Sequence, residues 1–391
     1  MKRYGLPGIG ALFLPALAWA VYAPIPEQEQ GKPFTVTIDA GAYHDSNIFG
    51  SATGAIGSMI YSVAPKLAFN ASVGKRTFLS ASYQATFDYF DNRPTDRSLV
   101  SHDAALRLAH AFTEASTIDL SEEFQVEKNP QSLLAGVPVN TDQSFQRNQF
   151  DGRLATALDP KTGVVFKYRN LAFNYADARL SQDLDRMEHL AGLELNNKFL
   201  PEVTVVGEYR YQRIDYDNVG GLKDKRSNFL LTGADYAPGK QVTLTGRAGV
   251  EDREREGERR TTAPYADFTG KYVYAEQSFV SGGYTYSLEE TDNPALFTDT
   301  KVNRFFVNLQ EALTARVVAS GSVTLEPSTL LGRRGLPNLS ETTTRLGVAL
   351  TYVARKDCTF SVTYDCDRVH SDAPDRRQDR TRFGLNGRLY F

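Results

Sequence analysis

Apolar and polar residues alternate strictly through most of the chain, and the pattern is plainest at its end. Over 378–391, Phe391, Leu389, Gly387, Leu385 and Phe383 fall on one face, and Tyr390, Arg388, Asn386, Gly384, Arg382 and Arg380 on the other. Successive side chains of a strand point to opposite faces, so the pattern predicts a strand with different surroundings on its two sides. A cationic face behind an apolar one does not suit an ordinary core; it suits lipid outside and a wet lumen inside. Near the start, Phe34, Val36, Ile38, Ala40 and Ala42 oppose Thr35, Thr37 and Asp39, which predicts a first strand over 34–44. A second, over 58–73, sets Tyr61, Val63, Leu67, Phe69 and Ala71 against Ser62, Lys66, Asn70 and Ser72. After Gly74-Lys75, a third sets Leu79, Ala81, Tyr83, Ala85, Phe87 and Tyr89 against Ser80, Ser82, Gln84, Thr86 and Asp88.

The connections alternate in length. Long polar ones fall at 91–98, 129–143, 176–182, 217–223, 255–259, 291–298, 328–339 and 371–377. Tight ones fall at 113–114, 159–162, 200–202, 237–240, 274–276, 314–315 and 354–357. Short periplasmic turns alternating with longer outside loops predict an all-β fold, a transmembrane antiparallel up-and-down β-barrel of about 18 strands over 34–391. A β-solenoid or a large secreted sandwich spaces its strands similarly, but needs neither this loop alternation nor a terminal aromatic residue. Pro65 and Pro264 interrupt the second and twelfth strands, where local bulges are expected because proline cannot donate to the ladder.

The closing strand resembles that of bacterial outer-membrane β-barrels, which ends on Phe and is read by the barrel-assembly machinery. The resemblance rests on Phe391 and on the alternation of Phe383, Leu385 and Leu389, and it implies that these four residues form the assembly signal. It also implies membrane lipid and lipopolysaccharide as surroundings, in the cell outer membrane.

Residues 1–20 have the pattern of a cleaved signal peptide: Lys2 and Arg3, an apolar run over 12–17, then Ala18-Trp19-Ala20. Pro7 and Pro15 leave too little uninterrupted apolar chain for the roughly 20 residues of a helical span. Residues 21–33 are then a short periplasmic lead. Trp19 is the single tryptophan, so any aromatic belts must come from the 20 Tyr and 23 Phe. With 41% hydrophobic and 23% charged residues, no later stretch spans as a helix, and a net charge of -3 gives no sign of a nucleic-acid partner. Cys358 and Cys366 lie eight positions apart on one strand, roughly 25 Å, too far for a disulfide.

Assigning apolar faces to lipid fixes the inward set. Its pore-lining candidates are Lys66, Asp151, Arg153, Lys167, Arg169, Glu208, Arg210, Arg247, Arg304, Asp365, Asp367, Arg380 and Arg382. Asp88, Arg107, Asp119, Glu123, Glu194, Asp235, Glu251, Asp267, Lys271 and Arg388 share that face. A barrel this wide is expected to leave an aqueous channel. Opposite charges in alternation, such as Asp151 with Arg153 and Glu208 with Arg210, fit internal ion pairs that either select solutes or only brace the wall. Asp365 and Asp367 near Arg380 and Arg382 predict a transverse field of the kind that orients polar solutes. The lead before Phe34 is too short for a plug domain, so an unplugged barrel is expected. Two long loops are candidates to narrow the lumen: 129–143, with Leu133-Leu134 and Val137-Pro138-Val139, and 328–339, with Arg333-Arg334. The plainer expectation for each is a surface loop.

Five histidines, His44, His102, His110, His189 and His370, raise the question of a rim hydrolase. Closing the barrel puts the strands of His44 and His370 two spacings apart, roughly 10 Å, and Asp45 and Asp103 follow His44 and His102. No nucleophile or third ligand has diagnostic spacing, so the expectation is unrelated rim histidines and no catalytic, cofactor or metal site. Gly220-Gly221 is turn chemistry.

Tyr43-His44-Asp45-Ser46-Asn47-Ile48-Phe49, with Phe87-Asp88-Tyr89-Phe90, is similar to the β-barrel porin type 2 family, in which a Tyr-Asp-Ser-Asn-Ile run ends strand one. Here His44 stands between the Tyr and the Asp. The resemblance implies a porin-like or exopolysaccharide-export role. The sequence expectation is therefore passive diffusion of small polar or charged solutes through a mixed-charge lumen. The alternative is a barrel of exopolysaccharide export or envelope assembly, gated by polysaccharide-export partners.

Overall fold

The computed structural model describes residues 33–218, 223–255, 258, 260–293 and 295–391. The signal peptide expected over 1–20 and the turn expected at Gly220-Gly221 lie outside them. Eighteen strands form one sheet. They are β1 (Phe34–Asp45), β2 (Ser58–Val73), β3 (Thr77–Phe90), β4 (Ser98–Ala111), β5 (Ser116–Glu127), β6 (Phe145–Ala157), β7 (Thr162–Tyr175), β8 (Arg186–Leu200) and β9 (Val203–Tyr216). Then follow β10 (Lys225–Tyr236), β11 (Val242–Arg255), β12 (Thr261–Ala275), β13 (Ser278–Glu289), β14 (Phe297–Thr314), β15 (Val317–Gly332), β16 (Leu339–Arg355), β17 (Cys358–Ser371) and β18 (Gln378–Tyr390). Each pairs antiparallel with the next, and β1 pairs antiparallel with β18 from Thr37↔Tyr390 to Asp45↔Arg382, which closes the barrel. A closed sheet has no edge, so every backbone donor and acceptor inside a bilayer finds a partner within the protein.

The alternation sorts the wall as the sequence implies. On β2, Tyr61, Val63, Leu67 and Phe69 are exposed outside while Ser62 and Lys66 turn inward. On β18, Phe383, Leu385 and Leu389 are exposed outside, as is the terminal Phe391. Outward aromatic residues gather toward both ends of the strands: Tyr61, Tyr89, Tyr211 and Phe383 at the loop end, Phe34, Phe69, Tyr272 and Phe360 at the turn end. Tyr61 and Phe69 are eight residues apart on one strand. At about 3.3 Å per residue and a tilt of about 40°, that is roughly 20 Å of height, the scale of an outer-membrane apolar band.

Three expectations change. Neither proline makes a bulge: Ile38↔Pro65 and Val250↔Pro264 sit in unbroken registers with β1 and β11. On its other side Pro65 falls in an unpaired gap between Val63↔Phe87 and Lys66↔Gln84, and Pro264 lies beyond the first β12–β13 pair, Ala266↔Tyr286. The missing N–H thus faces no acceptor it fails to serve. The connection over 176–182 holds a short helix, α1 (Ala178–Leu184), whose N-cap Asp177 accepts hydrogen bonds from the Arg179 and Leu180 backbones. Half of the 328–339 connection is wall, because β15 runs on to Gly332 and β16 begins at Leu339.

Candidate functional site

Two loops at the loop end turn into the barrel instead of away from it. The β1–β2 connection buries Ile48 and Phe49 against Ile60, Phe90 and Leu99, three apolar residues that occupy inward positions on β2, β3 and β4. Arg93 lies over both rings, 4.8 Å from the Phe49 centroid and 5.3 Å from that of Phe90. The start of this loop explains the Tyr-His-Asp-Ser-Asn-Ile-Phe run. Asp45 accepts from the Asn47 backbone at 2.9 Å; the Asn47 amide donates to Ser51 O and Asp379 O; Ser46 Oγ accepts from the Thr381 backbone at 2.8 Å.

The β5–β6 loop, 128–144, crosses the interior to the opposite wall. The sequence favoured a surface loop here; the structure docks it onto β18 and the β17–β18 connection. Arg380 donates through Nη1 to the carbonyls of Pro130 and Gln131, and through Nε and Nη2 to Asp45, with Nη2–Oδ2 at 2.6 Å. Its side chain is 1% exposed and that of Asp45 is 0%. One guanidinium thus fastens the loop, the end of β1 and the closing strand together. Arg376 makes a second clasp, donating to Ala135 O at 3.2 Å while pairing with Asp292 and Glu341. Asn129 donates to the Tyr43 hydroxyl and to Asp88, and Gln143 to Phe49 O, so the two loops are tied to each other.

Two glycines make these contacts sterically possible. Gly136 has φ +73°, and a Cβ there would come within 2.8 Å of Arg376 Cγ. Gly50 has φ +65°, and its Cβ would meet Gln378 Oε1 at 2.8 Å and Leu133 at 3.0 Å. Both backbones occupy the left-handed region, where glycine carries no Cβ penalty.

Between the docked loop and the β13–β18 wall lies a cavity of about 180 Å³. Leu133, Leu134 and Ala135 close one side; Val302, Leu330 and Val369 line the other. Around them stand Glu289, Glu290, Asp292, Glu326, Glu341, Asp367, Arg345 and Arg376. Most of these charges are held by ion pairs. Arg304 bridges Glu289 at 3.1 Å and Glu326 at 2.6 Å, and Lys225 reaches Glu290 at 2.5 Å. Burial pushes the Glu290 carboxyl up, but the Lys225, Arg255 and Arg253 charges outweigh it and hold the group well below the usual carboxylate range.

The alternation puts all thirteen sequence candidates on the inner face, in four situations. Lys167 with Glu208 and Arg210, Arg169 with Asp151, Arg247 with Asp235 and Arg304 are ion-paired wall residues. Arg380 is consumed by the loop lock. Arg382 pairs loosely with Asp367 at 3.6 Å and donates to Gln131, and Asp365 stands opposite Arg382 in register. Lys66 and Arg153 lie lower on their strands, without an ion pair among the described residues. Inward counterparts in the sequence list behave alike: Arg107 clasps Asp119, and Arg388 clasps Asp39 across the seam at 2.5 Å. The sequence did not bring forward Glu289, Glu290, Asp292, Glu341, Arg345 or Arg376; the signal available was a charge at the polar parity of β13 to β16 or next to it in a connection.

The histidines do not assemble. His44 is level with Phe383, and Phe383 with Tyr364, six residues from His370 on β17, or about 20 Å along the strand rather than the roughly 10 Å expected. His102, His110 and His189 bond Tyr83, Thr77 and Tyr168 respectively, each at 2.8 Å. No group of three metal-ligating side chains occurs among the described residues, and Cys358 and Cys366 are free thiols.

A closed antiparallel barrel with an apolar outer band between aromatic rims and a charged interior defines a class: the chain is a bacterial outer-membrane β-barrel. No family model matches the sequence, and no curated protein does. Among solved structures, the chain is similar to OccAB4 of Acinetobacter baumannii, with 10% identity over 93% of this chain and 99% of that one, and a TM-score of 0.48. Against opdK of Pseudomonas aeruginosa the figures are 13%, 92%, 99% and 0.48, and against the ferric enterobactin receptor PfeA of the same organism 8%, 93%, 81% and 0.49. Of these, opdK is an outer-membrane protein, and likenesses at this level say nothing of a solute.

Proposed function

We propose that the protein is an outer-membrane channel that passes small polar or charged solutes through a lumen narrowed by the 128–144 loop. The loop end faces outward, as longer loops do on such barrels, and the wall sits in outer-membrane lipid and lipopolysaccharide. The observation that carries this reading is the cavity between Leu133–Ala135 and the β13–β18 wall, where apolar patches from both sides sit within a ring of carboxylates and arginines. A solute passing there exchanges hydration for fixed charges of both signs, which favours small polar molecules and disfavours large or wholly apolar ones. Liposome swelling with the refolded mature chain tests it. Uncharged sugars and amino acids of graded size should enter with a sharp cut-off, and equal rates for all sizes, or no entry, would count against a narrowed channel.

A partner-gated barrel, as in polysaccharide export, draws on a different observation: Arg380 and Asp45 lock the loop with almost no solvent exposure. On that reading the isolated chain admits nothing and becomes permeable only when a partner displaces the loop.

A further inference from the structure

Arginines in this protein repeatedly seat a carboxylate on the same edge of the guanidinium, the one formed by Nε and Nη2. Arg107 holds Asp119 there at 2.9 and 2.6 Å, Arg376 holds Glu341 at 2.8 and 3.2 Å, and Arg380 holds Asp45. Such paired, parallel donors match the two oxygens of a carboxylate or phosphate. Arg333, in the β15–β16 connection at the loop end, leaves both donors of that edge unserved. It is 7% exposed, yet among the described residues Nε and Nη2 are both buried without an acceptor, and its one ionic contact is Nη1 to Glu258 at 3.8 Å.

Its neighbours are cationic as well. Arg255 donates through Nη1 to the Lys223 carbonyl and pairs through Nη2 with Glu290 and Asp299, while its Nε is buried without an acceptor. Lys223 is 3% exposed and pairs with Asp183 at 2.9 Å. Burial lowers the Lys223 pKa, and the Arg333 and Arg255 charges push it down further against the pull of Asp183. Each of these cations keeps a carboxylate contact, yet three buried donors, Arg333 Nε and Nη2 and Arg255 Nε, have no acceptor among the described residues, and an oxyanion supplies what they lack.

We propose that the Arg333 edge, with Lys223 and Arg255 beside it, is an oxyanion-binding site at the loop-end mouth of the barrel. It takes a carboxylate or phosphate group, held two-pronged by Nε–H and Nη2–H as the internal carboxylates are held elsewhere in the wall. That chemistry has two sources, a soluble oxyanion on its way in or a lipopolysaccharide phosphate. The site is independent of conduction, so an equilibrium binding measurement separates its failure from that of the channel reading.

The experiment is calorimetric titration of the refolded full-length mature chain in lipid-free detergent, at constant ionic strength in chloride, with inorganic phosphate, with acetate, and with purified lipopolysaccharide. Saturable binding of phosphate or acetate marks a soluble ligand, and saturation by lipopolysaccharide alone marks its headgroup. Arg333→Gln should weaken either by about tenfold or more, and Arg333→Lys nearly as much, because the charge remains and the fork is lost. Absence of saturation by all three, or unchanged affinity in Arg333→Gln, overturns the proposal. Should the variants fail to fold, phenylglyoxal labelling of the wild-type chain decides: protection of Arg333 by the bound anion supports the site, and labelling unaffected by it does not.

Discussion

Replacing Arg380 with alanine is the perturbation whose consequences the structure defines most fully. The substitution removes three bonds to Asp45 and two to the carbonyls of Pro130 and Gln131, and leaves a carboxylate with 0% exposure without its ion-pair partner. Breaking a buried ion pair by deleting one partner costs about 3–5 kcal/mol, most of it the stranded charge. The barrel does not depend on that pair for closure, since β1 and β18 share a continuous register and a second bridge, Arg388 to Asp39. The loss therefore falls on the docked state of the 128–144 loop. At about 1.4 kcal/mol per tenfold, it shifts that equilibrium by roughly two to four powers of ten. In a planar bilayer, Arg380→Ala should show larger and noisier openings than wild type while remaining heat-modifiable on gels. Asp45→Asn combined with Arg380→Gln should be milder than Arg380→Ala, because no charge is left unpaired. Wild-type conductance and noise in folded Arg380→Ala would refute the idea that this lock holds a constriction.

Other expectations follow from neighbouring contacts. Gly136→Ala adds a Cβ against Arg376 at positive φ, so it should loosen the same loop by about 1 kcal/mol or more, read as faster proteolysis within 129–144. Phe49→Ala empties the centre of the inward cluster and should cost about 3–5 kcal/mol, measured as a lower urea midpoint for unfolding in detergent. Because Glu290 titrates well below its ordinary range, the stability it contributes is full above the unfolded value of about 4.3 and is lost as pH falls through the depressed one. Hydrogen exchange around 288–293 should accelerate only in that acid window, and Glu290→Gln should abolish the pH dependence. Phe391 is 61% exposed and outward, so Phe391→Ala should leave the folded barrel's stability nearly unchanged while reducing the yield of barrel assembled in cells.

The wall was legible in the sequence because a strand repeats every two residues and each of its faces meets a different solvent. Phe34 to Ala42 or Phe383 to Phe391 reveal their orientation without any knowledge of the neighbouring strand. The interior was less legible, because its contacts join residues far apart in the chain and at mixed parity. Asp45 and Arg380 are 335 positions apart and meet only once the sheet closes. Ile60, Phe90 and Leu99 sit at inward parity, and a rule that sends every apolar residue to lipid overlooks them. They were the available clue that something apolar fills the loop end, as Leu133-Leu134 was for the second loop. Arg376 carried no periodicity because it lies in a connection, and its role comes from the loop carbonyl it meets across the lumen.

Single-channel recording of the refolded wild-type chain in a planar bilayer tests the central claim most directly. The account predicts steady openings that scale with salt and remain smaller than those of Arg380→Ala, with a reversal potential that shifts when Glu290 or Arg345 is neutralised. Correctly folded, heat-modifiable protein that leaves the bilayer silent, in the wild type and in Arg380→Ala alike, would contradict it.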